Sequence, residues 1–142
     1  MSSPDVNRLL SFALYGAANR LIRMHKPFLQ PLNLTFPQYL VMLELFGEAP
    51  RSVGELGAKL GMDTGTITPL VKRLEQAGLV IRRRNVEDER KVWVEVTTSG
   101  EALRDAVSAV PDQLQTACRI SEEMAGELRN ALDNVGRIDR NE

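Results

Sequence analysis

The sequence has little of what secreted proteins, membrane proteins and metalloproteins need. The 142 residues include one cysteine, Cys118, which cannot form an internal disulfide, and one histidine, His25, which leaves too few ligands for a structural zinc site. No apolar stretch reaches the roughly 18 residues that span a bilayer, and no charged-then-apolar leader opens the chain. We therefore expect a single soluble, cytoplasmic domain that uses no metal or cofactor.

Motifs of common enzyme classes are also missing. A hydrolase triad needs a histidine base, and His25 is the one candidate, without a G-x-S-x-G turn to accompany it. The glycines of GELGAKLG have the wrong spacing for a dinucleotide fingerprint or a phosphate-binding loop. An enzyme that uses His25 and Tyr39 is the weakest functional interpretation, and we expect no catalytic site.

Charge is nearly balanced over the chain but distributed unevenly. There are 18 Lys and Arg against 19 Asp and Glu, a net charge of −1. Residues 101–142 hold a net −4, whereas the segment 72–91 holds seven basic and four acidic residues, a local +3. A phosphate backbone would interact with this local excess rather than with the total, so a nucleic-acid partner stays open.

Capping residues predict where helices begin, because a Ser, Thr or Asp side chain accepts hydrogen bonds from the free N–H groups of the first turn. Five such starts occur, three with capping-box spacing and two simpler caps, at Thr35, Ser52, Thr98, Asp63 and Ser121. A long first helix is expected from about residue 5 to residue 29, where Pro27 and Pro31 end it. Six helices are therefore predicted.

The hydrophobic period changes between Val71 and Thr98. Residues 79–84 lead through a polar turn at 85–91 into a segment in which valines alternate with Trp93 and Glu95, namely Val92, Val94 and Val96. This pattern is typical of a half-buried strand. The predicted fold class is therefore mainly α with a small β-hairpin.

The helices that begin after Ser52 and Asp63 form a predicted helix-turn-helix, in which Gly61 can end the first and the second extends to about residue 77. The second helix has a core face of Ile67, Leu70, Val71 and Leu74. Its outer surface has small side chains at the start of the helix and cationic side chains farther along. The residues of this surface are Thr64, Gly65, Thr66, Thr68, Pro69, Lys72 and Arg73. Short leading side chains suit entry into a DNA major groove, although solvated helix-start residues are the alternative interpretation. Pro69 is expected to bend or strain the helix.

The hairpin that follows is basic. Asp88 and Arg90 lie near its tip, flanked by Lys91 and by three consecutive arginines, Arg82, Arg83 and Arg84. An arginine on a protruding turn can enter a narrow minor groove while a nearby carboxylate holds it in position. A merely solvated loop is the alternative. A helix-turn-helix followed directly by a basic hairpin is more specific than either part, and it predicts a winged helix.

The chain resembles the MarR family of winged-helix regulators over almost its whole length. The segment GLVIRRRNVEDERKVWVEVTTSGE is similar to the family's wing, with the D-x-R pair as Asp88 and Arg90. LTFPQYLVMLELF and MDTGTITPLVKRLEQAGL resemble more narrowly its organic-hydroperoxide-sensing (OhrR-type) branch, in which the proline at position 69 recurs. The resemblance implies one domain over residues 1–142, with dimerisation helices at about 5–30 and 101–138 and a DNA-binding lobe at about 35–100.

Both ends of the chain carry apolar residues that a small monomer could not cover. The first helix is apolar on more than one face, and the last has a stripe of Met124, Leu128, Ala131, Leu132, Val135 and Ile138. The ends could pack on each other within one subunit. MarR-like proteins instead pair them across a two-fold axis, so the resemblance implies a homodimer.

A two-fold dimer would present two recognition helices and two wings to duplex DNA. The resemblance implies a transcriptional regulator, most simply a repressor, whose operator is an inverted repeat with half-sites about one helical turn or a small multiple apart. Phosphate contacts are expected from Lys72, Arg73, the three arginines and the helix starts at Ser52 and Asp63. A winged-helix module that binds a protein partner and no DNA is the alternative function.

The sequence departs from the OhrR-type branch at the sensor position. The motif that resembles LLSFALY carries a reactive cysteine in that branch, where this chain has Ser11, and a serine hydroxyl cannot be oxidised to a sulfenic acid. Two tyrosines of the branch match His25 and Phe36. Three altered positions favour natural divergence over an engineered Cys-to-Ser change. Peroxide sensing by cysteine is therefore expected to be lost or altered.

Two further expectations concern the thiol of Cys118 and a ligand pocket. Cys118 matches the branch's second, resolving cysteine, but a buried apolar filler is the commoner role of a solitary helix cysteine. A pocket is expected to hold a small, partly aromatic or anionic inducer, and its lining is predicted to be Ser11, Tyr15, His25, Phe36 and Tyr39. An exposed histidine at a helix end is the alternative interpretation of His25.

Overall fold

The computed structural model describes residues 3–137, which form a mainly helical fold around a small antiparallel sheet. The helices are α1 (Leu10–Met24), α2 (Lys26–Leu29), α3 (Phe36–Gly47), α4 (Val53–Leu60), α5 (Thr64–Gln76), α6 (Thr98–Glu101), α7 (Arg104–Cys118) and α8 (Glu122–Asp133). Short 3-10 helices at Val6–Arg8 and Gln30–Leu32 flank α1 and α2. The strands are β1 (Arg51–Ser52), β2 (Val80–Arg84) and β3 (Val92–Val96). The predicted fold class is confirmed.

The prediction of a single long first helix is wrong. Asp5 caps a 3-10 turn, Leu9 is extended, and α1 then runs only to Met24. Pro27 lies in the first turn of α2, and its missing N–H cannot bond to the carbonyl of Arg23, so a continuous helix would lose its regular hydrogen bonding there. The predicted helix is therefore divided into α1 and α2, and the last two predicted helices become α6, α7 and α8.

Most of the predicted caps are confirmed. Thr35 and Ser52 form complete capping boxes, and the side chains of Asp63 and Ser121 each accept from a backbone N–H of their helix. The predicted cap at Thr98 is wrong, because Thr97 takes that role. The Thr97 hydroxyl accepts from Gly100 N at 3.0 Å and donates to the Gly78 carbonyl at 2.6 Å, which fixes the start of α6 against the end of α5.

The sheet has the order β1-β3-β2 and is antiparallel throughout. The predicted hairpin is β2 and β3, with Arg82 opposite Val94 and Arg84 opposite Val92. The two-residue strand β1 pairs Ser52 with Trp93, so the residue that caps α4 also anchors the edge of the sheet. This pairing fixes the wing to the start of the helix-turn-helix.

The core lies between α3, the helix-turn-helix, the sheet and α7. The predicted core face of α5 is buried, and it packs with residues of each neighbouring element, including Met42, Leu45, Leu56, Val94 and Val107. Burial of this face turns the opposite side of α5 outward. The fold thus presents the predicted outer surface of that helix to solvent.

Two helices lie outside this core. Neither α1 nor α8 contains a buried residue, and both carry exposed apolar side chains. Those of α8 and the residues after it are Met124, Leu128, Leu132 and Val135, whereas Ile138 lies outside the described residues. The two ends therefore do not bury each other within one chain. No helix within residues 3–137 is long and apolar enough to cross a membrane.

Candidate nucleic-acid interface

A cleft of about 460 Å³ separates the helix-turn-helix from the wing. The start of α4 forms one wall, the first turns of α5 form the floor, and the wing supplies the cations. The predicted site residues that line it are Ser52, Thr64, Thr68, Arg82, Arg90 and Lys91. The structure therefore brings the predicted recognition helix and the predicted wing together on one concave surface.

The turn between α4 and α5 depends on local chemistry that the sequence displays. Gly61 ends α4 in the left-handed conformation with a φ of 67°, and the Asp63 carboxylate accepts from Thr66 N at 2.9 Å. The two helices also approach closely at Gly57, where a Cβ would lie 2.7 Å from the carbonyl oxygen of Met62. These features set the angle at which α5 projects from the lobe.

The outer surface of α5 has the predicted character. Thr64, Gly65, Thr66 and Pro69 are exposed, and Thr68 is half-buried where it faces the cleft. Lys72 and Arg73, one turn farther along, are also exposed and form no salt bridge within the part of the chain that the structure describes. Small side chains thus come first along this face and free cations follow.

Pro69 lies in the middle of α5, yet the helix continues through it to Gln76. In a regular helix the N–H of residue 69 would donate to the carbonyl of Gly65, and a proline has no such N–H. The proline therefore removes one backbone hydrogen bond from α5 without interrupting the helix.

The three arginines of β2 have different surroundings. Glu75 of α5 accepts from both the backbone N (2.8 Å) and the Nε (3.0 Å) of Arg82, and the Arg82 Nη2 lies 3.0 Å from the same carboxylate. These bonds to Arg82 hold the pKa of Glu75 below its ordinary value. Arg83 pairs with Glu95 across the sheet at 3.0 Å, and Arg84 donates to the carbonyl of Glu89. Arg82 therefore connects the wing to α5, so its charge is neutralised locally.

The wing tip holds Arg90 in an exposed position. Asp88 Oδ1 accepts from the backbone N of Arg90 at 3.1 Å and lies 3.4 Å from its Nε, while the side chain is 94% exposed. Lys91 lies over the Trp93 ring, 5.1 Å from its centroid. The carboxylate thus orients a projecting guanidinium, as the sequence predicted for this pair.

Ser52 has a different environment from the one expected of a phosphate contact. It is 4% exposed, and its hydroxyl accepts from Glu55 N at 3.0 Å. The Glu55 carboxylate in turn accepts from Ser52 N at 3.3 Å and places a negative charge at the start of α4. The Ser52 side chain is therefore occupied by the cap.

Three of the five predicted sensor residues form a ring cluster. The His25 ring centroid lies 4.7 Å from that of Phe36 and 5.7 Å from that of Tyr39. Burial raises the pKa of Tyr39. His25 is only 6% exposed, so its interpretation as an exposed helix-end residue is wrong. Its Nδ1 lies 2.8 Å from the carbonyl oxygen of Leu21, and because that oxygen only accepts, Nδ1 carries the hydrogen.

The other predicted sensor residues lie apart from this cluster in a single chain. Ser11 and Tyr15 are exposed on α1, and Tyr15 is 68% exposed. Cys118, at the end of α7, is a half-buried free thiol rather than a fully buried filler. A second cavity, of about 380 Å³, lies beside the cluster, but Phe36 is the one predicted sensor residue that lines it.

The chain has many relatives of known type. It matches the model of the SarA/Rot transcriptional regulators over residues 23–107. It is 37% identical to the organic hydroperoxide resistance transcriptional regulator of Bacillus subtilis, over 87% of this chain and 84% of that protein.

Solved structures of related proteins have the same fold. Reduced AbfR of Staphylococcus epidermidis bound to DNA matches with a TM-score of 0.74 and 29% identity, over 90% of this chain and 92% of that one. A cysteine-to-serine mutant of MarR from E. coli, complexed with operator DNA, matches with a TM-score of 0.81 and 25% identity, over 95% of this chain and all of that one. This chain belongs to the MarR-type winged-helix transcriptional regulators.

Sequence reasoning missed one residue of this MarR-type regulator that shapes the candidate interface. Glu75 fixes the wing to α5, although its side chain lies outside the predicted site. The available signal was an acidic residue near the end of the recognition helix, seven residues before the first arginine of the wing. That spacing crosses a helix-to-strand turn, so no helical or strand periodicity reveals it.

Within residues 3–137 there is no group of three or more His, Cys, Asp or Glu side chains that could hold a metal ion.

Proposed function

We propose that this regulator is a homodimeric repressor that binds an inverted-repeat operator in duplex DNA. The observation that carries the proposal is that α5 and Arg90 border the same cleft, with small side chains on the helix and an oriented guanidinium on the wing. Helix α5 enters the major groove, Arg90 reaches the adjacent minor groove, and Lys72 and Arg73 contact phosphates. DNA in the structures of AbfR and MarR supports this assignment.

The domain organisation follows from the same proposal. The lobe at about 35–100 binds DNA, and the helices at about 5–30 and 101–138 join two copies across a two-fold axis. The exposed apolar side chains of α1 and α8 support this arrangement. The regulator acts by binding rather than by catalysis, and it acts in the cytoplasm, where the DNA is.

Replacement of Arg90 tests the role of the wing. Arg90→Ala is expected to lower the affinity for duplexes enriched from a random pool by about tenfold, because each of the two wings of the dimer loses its groove contact. The matched control is Arg129→Ala, which removes an exposed arginine from α8 and should leave the affinity unchanged. The affinities are compared by fluorescence anisotropy at one fixed salt concentration. In a separate titration, the DNA affinity of every variant should fall steeply as the salt concentration rises.

Two results would contradict this proposal. An Arg90→Ala variant that binds as tightly as the parent protein removes the wing from the mechanism. A parent protein that retains no duplex at low ionic strength favours the alternative of a winged-helix module with an acidic protein partner.

The sensor proposal is that cysteine-based peroxide release has been lost. Position 11 is a serine, which forms no sulfenic acid, and the positions that match two tyrosines of the hydroperoxide-sensing branch are His25 and Phe36. A small, partly aromatic or anionic inducer binds near the ring cluster of His25, Phe36 and Tyr39 and shifts the two DNA-binding lobes. The cations Arg23 and Lys26 beside the neighbouring cavity support an anionic ligand.

Treatment with cumene hydroperoxide tests the loss of peroxide sensing. The protein is expected to stay on its operator in the same anisotropy assay, since Cys118 has no thiol at position 11 with which to pair. Cys118→Ser should behave like the parent protein. Release by hydroperoxide that disappears in Cys118→Ser would instead assign the sensing role to Cys118.

A further inference from the structure

The outward ridge of α5 is apolar in the first half of the helix. Ile67, Leu70, Val71 and Leu74 face the core, and successive helical residues are about 100° apart, which places Gly65 and Pro69 opposite that buried face. Both are exposed. The centre of the ridge therefore consists of bare backbone followed by a pyrrolidine ring.

Neither of these side chains can form a hydrogen bond with a base. Glycine has no side chain, and the proline ring offers only C–H groups and no backbone N–H. Residues 64–69 also contain no Arg, Lys, Asn or Gln, the side chains that pair bidentately with guanine or adenine. The flanking Thr66 and Thr68 each supply a methyl group beside a hydroxyl.

One apolar feature marks a base edge in the major groove, and it is the 5-methyl group of thymine. We infer that α5 recognises thymine through this methyl group and that the Pro69 ring is the specificity-determining contact, with the Thr66 and Thr68 methyls beside it. This inference rests on the proposed DNA-binding function and extends it to the base that is read. Each half-site then carries a thymine opposite Pro69.

The test uses duplexes enriched from a random pool and replaces each thymine in turn with deoxyuridine, which lacks the methyl group. Loss of one buried methyl is expected to weaken binding about fourfold, and loss of the symmetric pair about fifteenfold. A cytosine at the same position should weaken binding, and 5-methylcytosine should recover part of the loss. The assay measures affinity by anisotropy at fixed salt.

The variant Pro69→Ala connects the effect to this residue. Alanine removes the ring and restores an N–H for the Gly65 carbonyl, so α5 keeps its helical structure. In this variant the replacement of the sensitive thymine should cost much less than in the parent protein. Thr66→Ser and Thr68→Ser, which lose a methyl and keep the hydroxyl, should reduce the sensitivity only in part.

Three outcomes would overturn the inference while leaving DNA binding intact. The first is that no thymine-to-deoxyuridine replacement lowers the affinity. The second is that Pro69→Ala keeps the full loss of affinity on this replacement. The third is that replacing a guanine with 7-deazaguanine lowers the affinity more than any thymine replacement does. The last result would assign base recognition to Lys72 or Arg73. A pool in which no duplex is enriched overturns the proposed function itself, and so the two failures are distinguishable.

Discussion

Gly57 shows how closely the two helices of the helix-turn-helix approach each other. Its carbonyl accepts from Met62 N at 2.8 Å, and a Cβ at this position would lie 2.7 Å from the Met62 oxygen and 3.4 Å from a methyl carbon of Ile67. The nearest obstacle is backbone, which cannot rotate away as a flexible side chain can. Any larger residue here must push α5 outward.

Gly57→Ala is expected to lower the free energy of unfolding by about 1–3 kcal/mol, because it overpacks the contact between α4 and α5. The matched control is Gly54→Ala on the same helix, where the nearest atom to a new Cβ is 3.9 Å away. That variant should be neutral or more stable by at most about 1 kcal/mol. Urea unfolding followed by circular dichroism measures both, and equal midpoints for the two variants would contradict the prediction.

Residues whose role is local could be predicted from the sequence, and residues whose role depends on distant contacts could not. The caps at Ser52 and Asp63 bond to residues three positions away, so their spacing is visible in the chain. Thr97 was missed because its hydroxyl also bonds to Gly78, nineteen residues earlier. The burial of His25 was missed because it depends on Phe36 and Tyr39 from another helix.

At the scale of elements, the hydrogen bonds that join α5 to the wing through Arg82 are all accepted by one carboxylate. Glu75 accepts from the backbone and the side chain of Arg82, and these bonds stabilise its ionised form. Since the pKa of Glu75 is lowered in the folded state, its contribution to stability is present above the ordinary value of 4.5 and is lost as the pH falls through the lowered value. The wing should therefore loosen from α5 in acid.

Glu75→Gln is expected to lower both stability and operator affinity at neutral pH, because an amide cannot accept with both of its terminal atoms. The difference in unfolding free energy between this variant and the parent protein should shrink below about pH 4.5, where the carboxyl of the unfolded chain becomes protonated. Urea unfolding at several pH values measures this difference. Glu127→Gln on α8 serves as the control, and a difference that stays constant with pH would contradict the role given to Glu75.

Among the helices and strands, the helix-turn-helix and the hairpin could be predicted from the sequence, since both have periodic apolar residues and clear turn residues. The sequence did not predict β1, because two residues, Arg51 and Ser52, are too few to show an alternating pattern. It also did not predict the division of the first helix. The predicted helix extends to about residue 29, where Pro27 and Pro31 end it, whereas α1 ends at Met24 because Pro27 has no N–H with which to continue the hydrogen bonding.

At the scale of the whole molecule, residues 3–137 carry apolar surfaces at both ends that a single chain leaves uncovered. They lie on α1 and on α8, outside the core between α3, the helix-turn-helix, the sheet and α7. Exposed apolar surface of this kind is characteristic of interfaces with other protein chains. The proposed two-fold dimer buries both surfaces and sets the distance between the two recognition helices.

Leu128→Asp is expected to convert the dimer into a monomer and to weaken operator binding, since Leu128 is 51% exposed on the apolar stripe of α8. The matched control, Asn130→Asp, places the same carboxylate on another face of α8 and should leave the dimer intact. Sedimentation velocity measures the oligomeric state, and circular dichroism checks that helices persist. A parent protein that sediments as a monomer would contradict the dimer.

Because the proposed dimer forms through the exposed faces of α1 and α8, operator occupancy depends more than linearly on chain concentration wherever the concentration is low enough for most chains to be monomers. While most chains are monomers, the concentration of dimers rises with the square of the chain concentration. A twofold fall in synthesis then removes about three quarters of the dimers. A cell could then lift repression by modest dilution during growth, with no signal molecule at all.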